Sequence, residues 1–451
     1  KHMTIIAHIT SGYSKYLLIN LLLERFNIIL LRDATINKIK DSVKIFVNGH
    51  WFAITEDPTG FINMFKDYRR VSYIPVQTSI SWEIENHQIN IYTDTGRLTR
   101  PLFYIENDRT PSYKYFKPTL SWDDMVSSEN KKQGTYDYRN YCNGNELYGD
   151  KTVESLLKNK STLEFMDASE EETSMVTIDR RETYDDNRYT HVEIHPSLLL
   201  GVMGNQIVFP ENNQLPRDLF SCGQSKQAVS LYHSNYQLRI DKMGVVLNNG
   251  QIPLIKSRYT QLINNEEHPY GENVIVAIMS YTGYNVEDAI LFNEGSVKRG
   301  LFRTTYFNMY ETRENSASVA GSNTNSKFSS VLGENVVGIK PGYDYNYLTN
   351  TGLIKENTVV DDKMVIIGKV NQDPLDPDVY IDDSITPKKG QLGFIDKSFI
   401  TEGEEGFRLA KVRIREERVP NIGDKFCSRC GQKGTLGQLI PEADMPYTSA
   451  G

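Results

Sequence analysis

KVRIREERVPNIGDKFCSRCGQKGTLG, running from Lys411 to Gly437, is the stretch on which the reading of this chain turns. Lys411, Arg413 and Arg415 alternate with Val412 and Ile414, the period of a β-strand with one cationic and one apolar face. A turn follows at Pro420 and Gly423. Beyond it, Lys425, Arg429 and Lys433 recur at intervals of four among Gly423, Gly431, Gly434 and Gly437. Arg408–Lys433 holds eight cations against three anions, a net +5 inside a chain whose net charge is −8. Cations on a backbone that glycine allows to come close can bring both side chains and N–H groups to phosphates. On charge alone, a solvated basic loop explains the pattern as well.

Outward from this stretch, 451 residues predict roughly three or four domains. With 39% apolar and 24% charged residues the chain builds ordinary cores, which excludes wholesale disorder. The net charge argues against indiscriminate coating of nucleic acid and permits a local basic channel. Cys142, Cys222, Cys427 and Cys430 lack the spacing of a secreted disulfide framework, so a reducing compartment is expected. The most apolar run, Leu17–Leu31, is interrupted by Glu24 and Arg25 and is too short to span a bilayer. No signal peptide or lipidation site is visible, and no membrane partner is expected. A first residue Lys1 and a last residue Gly451 just after a motif suggest a fragment.

In chain order, a strand-like run (Met3–Ile9) precedes a helix capped at Ser14, with Leu17, Leu18, Leu21, Leu22 and Phe26 on one face. Lys44–Ile54 reads as a hairpin turning at Asn48–Gly49, and Asp57–Arg70 as a capped helix. Strands are expected at Ser81–Glu85, Ile89–Thr93 and Arg100–Ile105. Residues 107–150 read as loop-rich, and a helix is expected after Asp150. Glu164–Asp186 holds nine acids and two bases, and a solvated acidic face is the expectation there. His191–Tyr232 reads as a strand, a Pro/Asn-rich loop that includes Pro216, and a helix beginning near Gly223. Val274–Asn293 reads as an apolar strand, a turn at Gly283–Asn285, and then Glu287–Asp288 before a second apolar run. That carboxylate pair suits a divalent metal or the cap of a following helix. The polar run Asn315–Ser330 reads as a flexible loop inside a mostly β insertion.

FVNGHW, TDTGRLTRPLF, MDASEEE, HVEIHPSLLLG, FPENNQLPR, SKQAV, YTGYNVEDAI, KRGLFR, the opening stretch and DMPYTSAG recur here in order. Together they resemble the second-largest (β-type) subunit of multisubunit DNA-dependent RNA polymerases of the eukaryotic, archaeal and large-DNA-virus type. The resemblance spans nearly the whole chain and implies an α+β, multidomain, β-rich fold. Residues 1–35 would end the fork region, with external domains at 36–106 and 107–186. Residues 187–301 and 408–451 would be two parts of the hybrid-binding domain, with a double-psi-barrel-type core. Residues 302–407 would be the inserted wall (flap). The family's protrusion, lobe and C-terminal zinc-binding clamp are outside this sequence.

The resemblance also implies roles. Lys425 and Lys433 match lysines at the RNA 3′ end and incoming nucleotide, and Arg217 matches an arginine at the nucleotide's phosphates. Gln227, with Lys226 beside it, matches a glutamine near the transcript's end. Asp288, with Glu287, matches an acid that helps hold a second Mg²⁺, through water. Arg429, Lys411, Arg413 and Arg415 would follow the RNA–DNA hybrid backbone without reading bases. The implied activity is nucleotidyl transfer, with template DNA, RNA transcript and NTPs as partners. The implied Mg²⁺ is held mainly by the largest subunit, so this chain would act only with that subunit and the other polymerase subunits.

One departure stands out: Cys430 takes a position the family usually gives to His, making Cys427–Cys430 a CxxC. Structural Zn²⁺ needs four ligands and no second pair is nearby, so zinc is not expected. The departure, with the Asn/Ile/Lys-rich composition, leans towards a large DNA virus (virion or cytoplasmic factory) over a cellular nucleus. Two other readings stand beside the catalytic one: a structural or assembly subunit with a degenerate centre, and a CxxC redox protein.

Overall fold

The computed structural model describes residues 8–9, 15–71, 73–76, 78–94, 97–106, 111–112, 161–179, 188–233, 235–257, 260, 268–319, 322–333, 335–403 and 406–449. The expected Ser14 cap, the helix after Asp150, Cys142 and most of the 107–150 loops lie outside those residues. Among the described residues, no helix is long and apolar enough to cross a membrane.

Two short elements start the described chain, β1 (His8–Ile9) and α1 (Lys15–Arg25), and α1 buries Leu18, Leu21 and Leu22. They are followed by β2 (Ile29–Leu30), then β3 (Val43–Val47) and β4 (His50–Thr55). Asn48 and Gly49, at φ of 49° and 80°, form the tight turn that their identities predict. Next, α2 (Pro58–Arg70) is capped by Asp57, whose carboxylate accepts from Gly60 N–H at 2.9 Å. Its buried stripe is Phe61, Phe65 and Arg69, four apart; the two Phe rings pack on Phe26 at 5.1 and 6.4 Å. With β5 (Ser79–Glu83) and β6 (Gln88–Tyr92), the sheet order is β2-β4-β3-β6-β5. The last two strands start earlier than the apolar pattern suggested.

A second sheet gathers strands far apart in sequence. Its central strand β7 (Leu98–Tyr104) pairs with β1, with β8 (Leu163–Asp167) and with β10 (His191–Val192). Helix α3 (Ala168–Glu172) follows β8, and β9 (Val176–Thr177) pairs with β10. Here the expected solvated acidic face is corrected for its first half; Glu172 is exposed, and residues 180–186 lie outside the described residues. Glu164, Asp167 and Glu170 are buried, because Arg69, Arg70, Arg97 and Arg100 meet this acidic stretch from neighbouring elements. The Arg69 guanidinium donates to both carboxylate oxygens of Glu170 at 2.7 Å, to Thr78 O at 2.9 Å and to Glu164. Arg70 donates to Glu164 at 3.3 Å, and His191 Nε2 lies 2.9 Å from the same carboxylate. Burial alone would raise the Glu164 pKa, but Arg70 and Arg69 outweigh it and hold the group well below the ordinary carboxylate range. Burial is the largest influence on His191 and lowers its pKa.

The third region contains α4 (Leu215–Ser225), β11 (Met243–Leu247), β12 (Ala289–Asn293), α5 (Glu294–Lys298) and β13 (Thr304–Arg313). Helix α4 starts eight residues before the Gly223 where the sequence suggested one. Pro216 lies in its first turn, where a missing N–H costs nothing, so proline opened the helix rather than excluding it. The expected strand at 274–280 is absent: no described strand supplies a ladder, and Ile275 and Ile278 are 94% and 99% exposed. The polar run expected as a flexible loop is instead the pair β14 (Ser316–Val319) and β15 (Ser322–Phe328), anchored by buried Phe328. With β16 (Val336–Val337), β17 (Lys369–Gln372) and β18 (Tyr380–Asp382) they form the sheet β14-β15-β17-β18-β16.

Finally, β19 (Phe394–Glu402) and β20 (Arg408–Arg418) complete the sheet β11-β13-β20-β19. Val412 and Ile414 are fully buried in one core with Ile395, Val365 and Ile366. The last pair, β21 (Lys425–Cys427) and β22 (Lys433–Ile440), joins β12 in a three-stranded sheet of order β12-β22-β21. The whole is β-rich, with several sheets and attached helices.

Candidate functional site

The site is built on the β21–β22 hairpin. Lys425 opposes Thr435 and Cys427 opposes Lys433, so both lysines lie on one face of the ribbon, with Phe426 on the other. Phe426 packs at 4.6 Å from Phe292 of β12 and 5.0 Å from Phe302, which is in KRGLFR; those two rings are 5.8 Å apart. This aromatic clip joins two sequence motifs to the strand that continues YTGYNVEDAI and turns Lys425 and Lys433 outward, where both are exposed.

Glycines bring the other parts to the hairpin. A Cβ at Gly437 would stand 2.4 Å from Tyr284 O, and one at Gly434 would stand 2.9 Å from Asp288 O. The YTGYNVED loop therefore lies directly on β22, and Thr435 N–H donates to Asp288 O at 2.9 Å. Glu287, at φ 56°, and Asp288 are exposed at the mouth of β12, which runs parallel to β22 from the pair Ala289–Thr435. On the hairpin's other side, Gly431 has φ 77°, and a Cβ there would stand 2.4 Å from Arg217 O. Three glycines at a spacing of three thus abut the carbonyls of Arg217, Asp288 and Tyr284.

Arg217 is exposed in the first turn of α4. Ser221 Oγ on the same helix donates to Arg429 O at 2.6 Å, and Gln224 Nε2 donates to Gly431 O at 3.4 Å. Lys226 and Gln227 are exposed at the C-terminal end of α4. Arg429 is half-buried and donates to Gln206 O at 3.3 Å; burial lowers its pKa. Among the described residues none of Lys425, Lys433, Arg217 and Lys226 is in a salt bridge.

The basic strand differs. Lys411, Arg413 and Arg415 do share one face of β20, but its neighbours carry acids. Glu311 of β13 pairs with Lys411 at 3.3 Å, and Asp396 of β19 pairs with Arg415 at 3.2 Å. Arg413 is 4% exposed: its Nε donates to Asp396 at 2.7 Å, and its other nitrogens donate to the carbonyls of Tyr236, Gln237 and Arg239. Only Arg415 and part of Lys411 are open to an outside phosphate. A cavity of about 770 Å³ beside Arg413 is lined by Tyr236, Leu238 and Phe307.

Cys427 is exposed and Cys430 half-buried, and burial raises the Cys427 pKa, the opposite of an activated thiol. Among the described residues, no group of three or more His, Cys, Asp or Glu side chains converges as a metal site. The residues that the motifs did not point to are Ser221, Gln224 and Phe426. Ser221 and Gln224 are three apart on one helix face, and the regular spacing of Gly431, Gly434 and Gly437 was the signal of close backbone approach.

The family model "RNA polymerase Rpb2, domain 6" matches residues 203–451, and "RNA polymerase Rpb2, domain 4" matches residues 45–106. The chain is 33% identical to the DNA-directed RNA polymerase II subunit RPB2 of Encephalitozoon cuniculi, covering 100% of this chain and 38% of that protein. It is 32% identical to the DNA-directed RNA polymerase II subunit 2 of Arabidopsis thaliana, covering 100% and 37%. It is 33% identical to the DNA-directed RNA polymerase subunit Rpo2 of Sulfolobus acidocaldarius, covering 93% and 35%. The chain thus spans less than two-fifths of the length of these relatives.

Proposed function

Because the chain belongs to the RNA polymerase Rpb2 family, we propose that it forms part of the second-largest, catalytic-core subunit of a DNA-directed RNA polymerase. In this reading it completes an active centre with the largest subunit and the other polymerase subunits, and it touches template DNA, RNA transcript and NTPs. The observation that carries the reading is the hairpin: exposed Lys425 and Lys433 lie on one face, with Arg217 and Asp288 drawn in by glycine contacts.

In-line nucleotidyl transfer is served mainly by positioning and by neutralising phosphate charge. Lys433 and Lys425 would meet the transcript's end and the incoming nucleotide. Arg217 would take the nucleotide's phosphates through paired N–H donors. Gln227 and Lys226 extend that polar edge along the nucleic acid. Arg415, Lys411 and Arg429 would meet the hybrid backbone from outside, while Arg413 braces the turn that backs them.

Glu287 and Asp288 offer the hard oxygen donors that Mg²⁺ takes, and both are exposed, but two carboxylates do not complete an octahedral site. They fit a shared or water-mediated role for a second Mg²⁺ whose main ligands are on the largest subunit. When bound, that ion supplies charge neutralisation at the phosphates. The boundaries of the fork (1–35), external (36–106 and 107–186), hybrid-binding (187–301 and 408–451) and wall (302–407) parts, and the double-psi-barrel-type core, belong to this proposal.

The retained cations favour a working centre over a purely structural subunit. The three relatives described above are from cellular organisms and give the viral lean no support. We place the work inside the cell, where the template is. The test is Lys433→Ala and Arg217→Ala in the assembled polymerase. Single-nucleotide addition is expected to fall by roughly 100-fold or more with assembly unchanged. Normal elongation by both variants refutes the reading.

A further inference from the structure

Helix α4 has an unusual attachment. Its apolar side chains Leu215, Leu219 and Phe220 are all exposed, and Ser221 is its buried residue, at 3% exposure. What fixes the helix to the hairpin is therefore polar and local. Ser221 Oγ holds Arg429 O at 2.6 Å, Gln224 Nε2 holds Gly431 O at 3.4 Å, and Gly431 rests on Arg217 O. Ser221 and Gln224 are on one face of the helix, and the carbonyls they hold are two residues apart in the 428–432 turn. That turn leads straight into Lys433.

We propose that Ser221 is a positioning residue that locks α4 to the Ser428–Gln432 turn and so fixes the spacing between Arg217 and Lys433. The inference rests on the functional reading above and adds to it the element that makes two separately encoded cations act as one unit. Arg217 and Lys433 are 216 positions apart, and both are on exposed side chains with no salt bridge among the described residues to hold them. The Ser221 hydroxyl bond to Arg429 O, beside the close approach of Gly431 to Arg217 O, is the hydrogen-bonded link on that route. Small displacements matter because positioning enters the rate steeply, a shift of about 1 Å being able to cost on the order of 100-fold.

The test is a double-mutant cycle in the assembled polymerase, read as kcat and KM for single-nucleotide addition. Ser221→Ala keeps a good helix former and deletes only the hydroxyl. It is expected to lower kcat by roughly 10-fold to 100-fold with little change in KM. In an Arg217→Ala background the same change is expected to cost less than about 2-fold, because the group it positions is gone. Ser221→Thr, which keeps the hydroxyl, is expected to recover most of the rate.

Equal losses from Ser221→Ala in both backgrounds, or no loss in either, overturn the proposal. Should Ser221→Ala fail to assemble, Gln224→Ala tests the same clasp from its half-buried member: a kcat loss confined to the Arg217 background supports the proposal, and an equal loss in both overturns it. The functional reading fails separately, if Arg217→Ala and Lys433→Ala themselves leave the rate unchanged.

Discussion

Phe426 and Phe292 pack ring to ring at 4.6 Å, and this contact directs the lysines on either side of Phe426's strand pair away from the core. Phe426→Ala removes the contacts to both Phe292 and Phe302. Full truncation of a buried Phe costs about 3–5 kcal/mol, and a half-buried ring falls at or below the low end. Phe426→Ala is therefore expected to lower chemical-denaturation stability by about 2–3 kcal/mol and to slow nucleotide addition in the assembled enzyme. Phe426→Leu should be milder in both measurements.

Arg69 sits in the apolar stripe of α2 and is held there by Glu170 and Glu164. Arg69→Met fits the stripe but leaves buried Glu170 with only Lys66, at 3.8 Å, and Glu164 with only Arg70 and His191. Breaking a buried pair from one side costs about 3–5 kcal/mol. A urea titration followed by circular dichroism should show that loss, and Arg69→Lys should recover only part of it, since a lysine cannot grip Glu170 with two parallel bonds.

The same network sets a pH dependence. Folded His191 has its pKa below the ordinary value of 6.5, so below about pH 6.5 the unfolded chain binds a proton that the folded chain resists. Stability is then flat above about pH 7 and falls as pH drops through 6.5 towards the folded value. A second loss starts below about pH 4.5, as Glu164, held well below that value when folded, protonates in the unfolded chain. Melting temperatures from pH 8 to pH 4 should show both steps. His191→Gln should abolish the first and keep the second; a first step unchanged in that variant would assign it to another group.

Gly437 has no room for a side chain beneath Tyr284 O. Gly437→Ala is expected to cost about 1–3 kcal/mol as an overpacked contact and to push the Glu287–Asp288 loop off β22. On the proposed function, the assembled polymerase carrying this variant should then require more Mg²⁺ than the one carrying Gly437. An unchanged Mg²⁺ titration alongside lowered stability would separate the loop's packing from any part it has in metal binding.

Much of this architecture was legible in the residues. Asn48–Gly49 and Asp57 announced a hairpin and a helix, because turn and cap chemistry is local. The alternation in Lys411–Arg415 announced a two-faced strand for the same reason. What alternation could not reveal was Glu311 and Asp396 on the neighbouring strands, since strand neighbours are decided by topology. Glu164 and Glu170 read as solvated for the same reason: Arg69 is about a hundred positions earlier in the chain. Pro216 misled because proline is a breaker inside a helix and a starter in its first turn. Val274–Ser280 misled because β-branched residues state a preference for a strand, while a strand also needs a neighbour.

The parallel pairing of β12 with β22 joins Ala289 to Thr435, and this has a consequence for biosynthesis. At a translation rate of roughly 5–20 residues per second, β12 leaves the ribosome on the order of ten seconds before its partner strand exists. Throughout that interval Ile290 and Leu291 lack their partner strand and Phe292 has Phe302 but not Phe426 beside it, while the intervening β13–β20 sheet can already close. The β13–β20 sheet therefore closes before the hairpin with its two lysines can dock on β12.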